Sequence, residues 1–248
     1  NLFAAVNKEE LSNVLVVVSD LKATYESGSE LLQSAFKELD NEINRSALNI
    51  EPVGSTSDEV YHILKKRLFE KLPSDDEVVE IANAYKQAVV EARQMGYTNM
   101  SPDKIFLGVR DSYPFHPSKR DLYARFKENE GFQQTRGLIR LMRRIVAQLY
   151  KGENPKAAEK YLINVHDFDL RDPDMLTAIT QIKPSLSNAI AHDICSNGKA
   201  IAEVVDGELG GETMQEVAKL ILVASLADVP NAVLGLSVSD TIGYLCEP

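Results

Sequence analysis

Tryptophan is absent from this chain, and cysteine occurs only twice, at Cys195 and Cys246. Two distant cysteines without CxxC spacing supply neither a zinc knuckle nor a disulfide framework. Histidine is scarce as well, and His62, His116, His166 and His192 lack the H-E-x-x-H spacing of a zincin. There is no G-x-S-x-G elbow. There is also no G-x-x-x-x-G-K-[ST] loop and no G-x-G-x-x-G turn, so no stretch offers the glycine-rich amide cradle that a triphosphate needs. Self-contained hydrolase chemistry is therefore unsupported. Long apolar runs are missing too. The longest, Leu220–Leu236, is broken by Asp228 and Pro230 and falls short of the roughly 20 residues of a membrane span. No signal-peptide pattern opens the chain, and a cytoplasmic location with no membrane partner is the default expectation.

Positive charge is in deficit: 27 Lys and Arg stand against 37 Asp and Glu, a formal charge of −10. That balance argues against a protein coated in phosphate contacts and leaves room for a local basic patch. One such patch exists. "GFQQTRGLIRLMRRIV", residues 131 to 146, carries Arg136, Arg140, Arg143 and Arg144 and no acid.

A strand is expected at "NVLVVVSD", residues 13 to 20, because a continuous β-branched run of this length suits a strand buried on both faces. Its polar end, Ser19 and Asp20, stands where ligands gather in open α/β sheets, or else simply starts the next turn. Most of the remaining pattern is helical. Residues 27 to 46 form an amphipathic stripe, and residues 55 to 72 follow a capping signal and stop at Pro73. The next helix is capped by Ser74 or Asp75 and closed at Gly96. Pro114 and Pro117 bracket Phe115 and His116 in a stiff turn before a helix from about Ser118.

In the arginine-rich helix, ~100° per residue places Arg136, Arg140 and Arg143 on one side, opposite Leu138, Leu141, Met142, Ile145 and Leu149. "YLINVHDFDL" reads as a short strand or extended segment. Asp172 and Pro173 open a well-signed helix, and another is expected over Pro184–Ser196. "DGELGG" reads as a break, "ETMQEVAKLILVASLA" as a buried helix, and Ser237 or Ser239 as a final cap.

Weighed as chemistry, Asp167, Asp169, Asp172 and Asp174 have the composition of a hard-cation site but lack the loop glycine and closing glutamate of an EF-hand, and Asp172 has a role as a cap. No metal site is assigned. Lys65, Lys66 and Arg67 read as a solvated face. On charge alone, Arg136–Arg144 also reads as a solvated or salt-bridged face ahead of an anion site.

Longer words add to this. "SYPFHP" (Ser112–Pro117), "FQQTRGLIRLMRRIVAQLY" (Phe132–Tyr150) and "HILKKRLFE" (His62–Glu70), with "VHDFDLRDPDM" and "VAKLILVASL", resemble an uncharacterised family of predicted AAA+-type ATPases of bacteria and archaea. Members of that family lie in defence islands, some of them in phage-exclusion systems. The resemblance covers essentially the whole chain, yet the family's phosphate loop and acidic magnesium motif are not in it.

The resemblance therefore implies a fragment. Its fold is expected to be mainly α with a minor α/β part: the rear of a P-loop core (1–72), a helical lid (73–160) and a C-terminal helical region (161–248). On this likeness Ser19 or Asp20 is a sensor facing the γ-phosphate, Arg45 is a finger donated to a neighbour's nucleotide in a homo-oligomer, and Arg136 resembles a lid sensor with Arg140 beside it. Arg143 and Arg144 are assigned to nucleic acid or a partner protein. ATP and magnesium would be bound by the full-length ATPase, while this portion alone would not hydrolyse ATP. The competing expectation is a helical DNA- or protein-binding module without catalysis.

Overall fold

The computed structural model describes residues 57–126, 129, 134–152, 155–227 and 235–248. Within these the fold is all helix and turn. The strand expected at 13–20 and the helix at 27–46, the α/β part of the expectation, lie outside the described residues.

Helix α1 covers Ser57–Leu68. Helix α2, Asp75–Gln94, starts at a reciprocal cap: the Ser74 main-chain N–H donates to Glu77 Oε2 (2.8 Å), and Glu77 N–H returns a bond to Ser74 Oγ (3.4 Å). Its inward residues Val78, Ala82, Tyr85, Val89 and Ala92 recur at helical spacing and face α3, Pro102–Ser112. Helix α3 is an element that the sequence pattern does not set apart from the turn after it. Its start was nevertheless spelled out by Ser101, which caps Lys104 N–H at 3.4 Å, and by Pro102 in the first turn. Ile105 and Val109 of α3 close a small core with Ala82, Tyr85, Val89 and Leu162.

A short turn containing a cis Tyr113–Pro114 peptide leads into α4, Pro117–Phe126. The turn is tight because α3 comes very close to it. A Cβ on Gly108 would stand 2.8 Å from Pro117 Cγ, closer than real carbons pack. Helix α5, Gln134–Lys151, then lays Leu138, Leu141, Met142, Ile145 and Leu149 into the main core against α1. This is the apolar face that its periodicity requires.

Residues 160–172 are irregular, and β pairing among the described residues is confined to one parallel bridge, Phe115 with Ile163. Helix α6, Pro173–Ile182, has the expected cap, Asp172 Oδ1 receiving Asp174 N–H at 2.8 Å. The helix expected at 184–196 is instead a 3-10 turn (Pro184–Leu186), one α turn (Ser187–Ala189) and a π-helix (Ile190–Ile194) closed by Cys195 N–H to the Ile190 carbonyl at 3.0 Å. That wider turn carries both Ile190 and Ile194 into the core.

The break read at "DGELGG" is also displaced. Helix α7, Ile201–Leu209, runs through Asp206, Gly207 and Glu208, and stops where Gly210 takes φ +76°. Asp206 explains the difference. It is buried, and its carboxylate accepts Met214 N–H (2.7 Å) and Gln215 N–H (3.0 Å), so it caps the next helix rather than opening a loop. That helix is α8, Thr213–Ser225, and Val238–Leu245 forms α9 with Ser237 as its cap. Residues Ser55–Pro248 make one compact unit, and the segments on either side of residue 160 share it. No helix among the described residues is long and apolar enough to cross a membrane.

Candidate functional site

The two resemblance words "SYPFHP" and "VHDFDL" meet in space. Ile163 N–H donates to the Pro114 carbonyl (2.8 Å), and His116 N–H donates to the Ile163 carbonyl (3.0 Å). This pairing sets a polar network in the core. His116, Ser118, Lys119, Asn164, His166 and Asp167 are all buried, with Lys119 fully so.

Asp167 is the negative centre of the network. It receives the main-chain N–H of Asn164, and Lys160 Nζ lies 3.3 Å from it. Burial pulls the Lys160 ammonium down, but Asp167, Glu247 and Glu216 outweigh it, so the group ends above its ordinary range. Lys119 is the opposite case. Burial takes its ammonium down to about 7 against the pull of Asp167, and its Nζ sits over the rings of Phe115 (5.7 Å) and Tyr123 (5.6 Å) and against the Met142 sulfur at 3.7 Å.

Burial likewise pushes His116 and His166 down to about 3, so both rings are neutral. The 3.9 Å approaches of His166 Nε2 to Asp167 and Glu216 are therefore not ion pairs. Ser118 N–H donates to His116 Nδ1 at 3.2 Å, which assigns the proton to His116 Nε2. That nitrogen, His166 Nδ1 and Asn164 Oδ1 are buried without a hydrogen-bond partner. The hydrogen bonds of the Pro114–Ile163–His116 main chain join the two chain segments.

The network is fastened to α5. Gln148 Nε2 donates to Asp172 Oδ2 (2.8 Å) and to the Asp169 carbonyl (3.3 Å), while its Oε1 receives Asp169 N–H at 3.1 Å. Arg144 adds a bond to the Asp174 carbonyl at 2.6 Å. The four aspartates weighed as a cation site thus have separate uses: Asp167 faces Lys160, Asp169 pairs with Arg171 (2.9 Å), Asp172 caps α6, and the Asp174 carbonyl holds Arg144.

The outer face of α5 differs from its inner one. Arg136, Arg140 and Arg143 are exposed, and no carboxylate among the described residues pairs with them. Helical geometry puts them on one stripe, as expected. Arg144 stands apart from them, half-buried and engaged at α6. Ser19, Asp20 and Arg45 lie outside the described residues.

The buried network was not legible as such. The spacing of His116 and His166 matches no metal or hydrolase motif, and nothing in the residue types shows that Lys119 is enclosed. The recurrence of both histidines inside the two resemblance words was the available signal.

Among known families, the model of the DUF499 second domain matches residues 55–242. The chain belongs to the DUF499 family. The matched span takes in the FHP turn, the arginine helix and the paired 160–172 segment, so the network and stripe described above are features of a DUF499 second domain. No curated protein and no solved structure matches the chain.

Proposed function

We propose that this DUF499 second domain is the helical sensor-and-lid part of an AAA+-like ATPase, with Arg136 meeting the phosphates of bound nucleotide and Arg140 beside it. The observation that supports this is the state of the α5 outer face. Three guanidinium groups are exposed and without a carboxylate partner, while the opposite face is locked in the core. An arginine held in a structural ion pair is spent; these are free to take a phosphate in a planar, always-charged fork.

The anchoring of α5 supports the lid role. Gln148 and Arg144 tie the helix to the 169–174 segment, so a pull on Arg136 is felt by the packed network rather than absorbed in a loose side chain. Among the described residues no glycine-rich loop is placed to cradle ATP, and no group of carboxylates and histidines is placed to hold magnesium. In this reading the domain contributes cations to a nucleotide held by the full-length protein. In the full-length protein, ATP turnover would be coupled to remodelling a nucleic-acid or protein partner in the cytoplasm, in a phage-defence setting, with a homo-oligomer allowing Arg45 to act on a neighbour.

The test is ATP turnover by the full-length protein. Arg136→Ala should lower it by about tenfold or more while leaving the melting temperature unchanged. Normal turnover in that variant contradicts the assignment.

A second reading rests on the length of the stripe. Arg140 and Arg143 extend it beyond what one terminal phosphate requires, which suits a nucleic-acid backbone. Binding of DNA should then weaken with salt at about one unit of log-log slope per arginine contact, and the slope should fall when Arg143→Gln removes one. No DNA binding at low salt excludes this version.

A further inference from the structure

The outer face of α5 does not end with its arginines. Arg140, Arg143, Ala147, Tyr150 and Lys151 are all exposed. At ~100° per residue they fall within an arc of about 100°, turned away from the buried Leu141, Ile145 and Leu149. Measured along the helix, this stripe is ~16 Å long. None of its three cations pairs with a carboxylate among the described residues, and the helix itself carries no acid. In a chain of net charge −10, so continuous a run of open positive charge goes against the average field.

The second observation is aromatic. Tyr150 stands 56% exposed on the stripe, and its ring is braced by an edge contact with Phe69, 6.5 Å between ring centres at an interplanar angle of 64°. Tyr161 is 62% exposed, and both tyrosines line a shallow pocket of about 50 Å³ together with the buried Pro114 and Ile163. That volume is well below what enclosing a small molecule requires. The two rings therefore offer open surface beside the cations rather than a hole.

We infer that the α5 face from Arg140 to Lys151 is a track for single-stranded nucleic acid, with Tyr150 as the platform on which an unpaired base stacks. The inference rests on the nucleic-acid reading of the stripe and narrows it to strands whose bases are free. Arg140, Arg143 and Lys151 supply phosphate contacts that carry no sequence preference, and the small Ala147 between them lets a sugar-phosphate backbone lie close to the helix. An exposed aromatic ring in line with such cations adds stacking, which every base can accept once it has left a duplex. Tyr161, on the same pocket, is placed to meet a neighbouring base. Arg136 is not used and stays available to a nucleotide.

The experiment is fluorescence anisotropy at low ionic strength, using the purified 248-residue chain with labelled oligodeoxythymidine, with oligouridine, and with a DNA duplex of equal length. Either single strand should bind more tightly than the duplex. Tyr150→Ala should weaken single-strand binding by about fivefold or more while leaving the salt slope unchanged, whereas Lys151→Gln should lower that slope by about one unit. Tyr150→Phe, which keeps a stacking ring, should bind as the parent does. Because the chain has no tryptophan, its tyrosine emission is directly readable; an unlabelled single strand should quench it, and Tyr150→Phe should quench less. Thermal melts verify that the variants are folded, and the quenching comparison decides the matter if Tyr150→Ala disturbs the Phe69 contact. If neither single strand nor duplex binds, the nucleic-acid reading of the stripe falls and the inference with it. If nucleic acid binds but the duplex is held as tightly as the single strands, or the folded Tyr150→Ala protein binds undiminished, that reading stands and the single-strand inference is overturned.

Discussion

Gln148 donates to Asp172 at 2.8 Å, joining the arginine helix to the carboxylate that caps α6. The other Asp172 oxygen holds the α6 N-terminus, so one side chain serves both as cap and as anchor. Gln148→Ala removes this bond and two more to the Asp169 main chain. The expected loss is about 1–3 kcal/mol, a fall of several degrees in melting temperature, read by thermal unfolding. An unchanged midpoint would mean that α5 is not held through this residue.

Much of this architecture could be anticipated from residue patterns. The stripe of α5, the Ser74 box and the Asp172–Pro173 start follow from helical periodicity and cap chemistry, which act over a few residues. The Asp206 cap could not be read in the same way, because its targets in α8 depend on how α7 and α8 pack. The same holds for the site. Arg136, Arg140 and Arg143 share a face by helix geometry alone, whereas the burial of Lys119 and the meeting of His116 with the 163–167 segment are tertiary facts.

Acid should destabilise the fold through its two buried histidines. Both are held near 3 in the folded protein, whereas in the unfolded chain an ordinary histidine titrates near 6.5. Below about 6.5 the unfolded state takes up protons that the folded state refuses. Stability is therefore complete above that value and falls as pH drops toward 3, by roughly 1.4 kcal/mol per pH unit for each histidine. Urea unfolding at pH 7, 6 and 5 measures the slope, and His166→Asn should remove about half of the histidine share.

Lys119 predicts a trend on the alkaline side. Its ammonium is held near 7 when folded and near 10.5 when unfolded, so between these values the unfolded chain binds the extra proton and stability rises with pH. The expected rise is roughly 1.4 kcal/mol per unit between pH 7 and 9. Lys119→Met keeps the length of the side chain and its contacts with Phe115, Tyr123 and Met142 while removing the titration. It should be at least as stable as the parent at pH 7 and should flatten the curve. A strongly destabilised methionine variant would mean that the buried charge itself is needed.

The central claim is that α5 presents Arg136 to bound nucleotide while its inner face stays packed. Hydrogen exchange over residues 134–151 of the full-length protein, with and without a non-hydrolysable ATP analogue, tests it most directly. The account predicts that nucleotide slows exchange in the first turns of α5, around Arg136 and Arg140, and that Arg136→Ala abolishes this change without altering exchange at Ile145–Leu149. Equal exchange with and without nucleotide in the parent protein would contradict it.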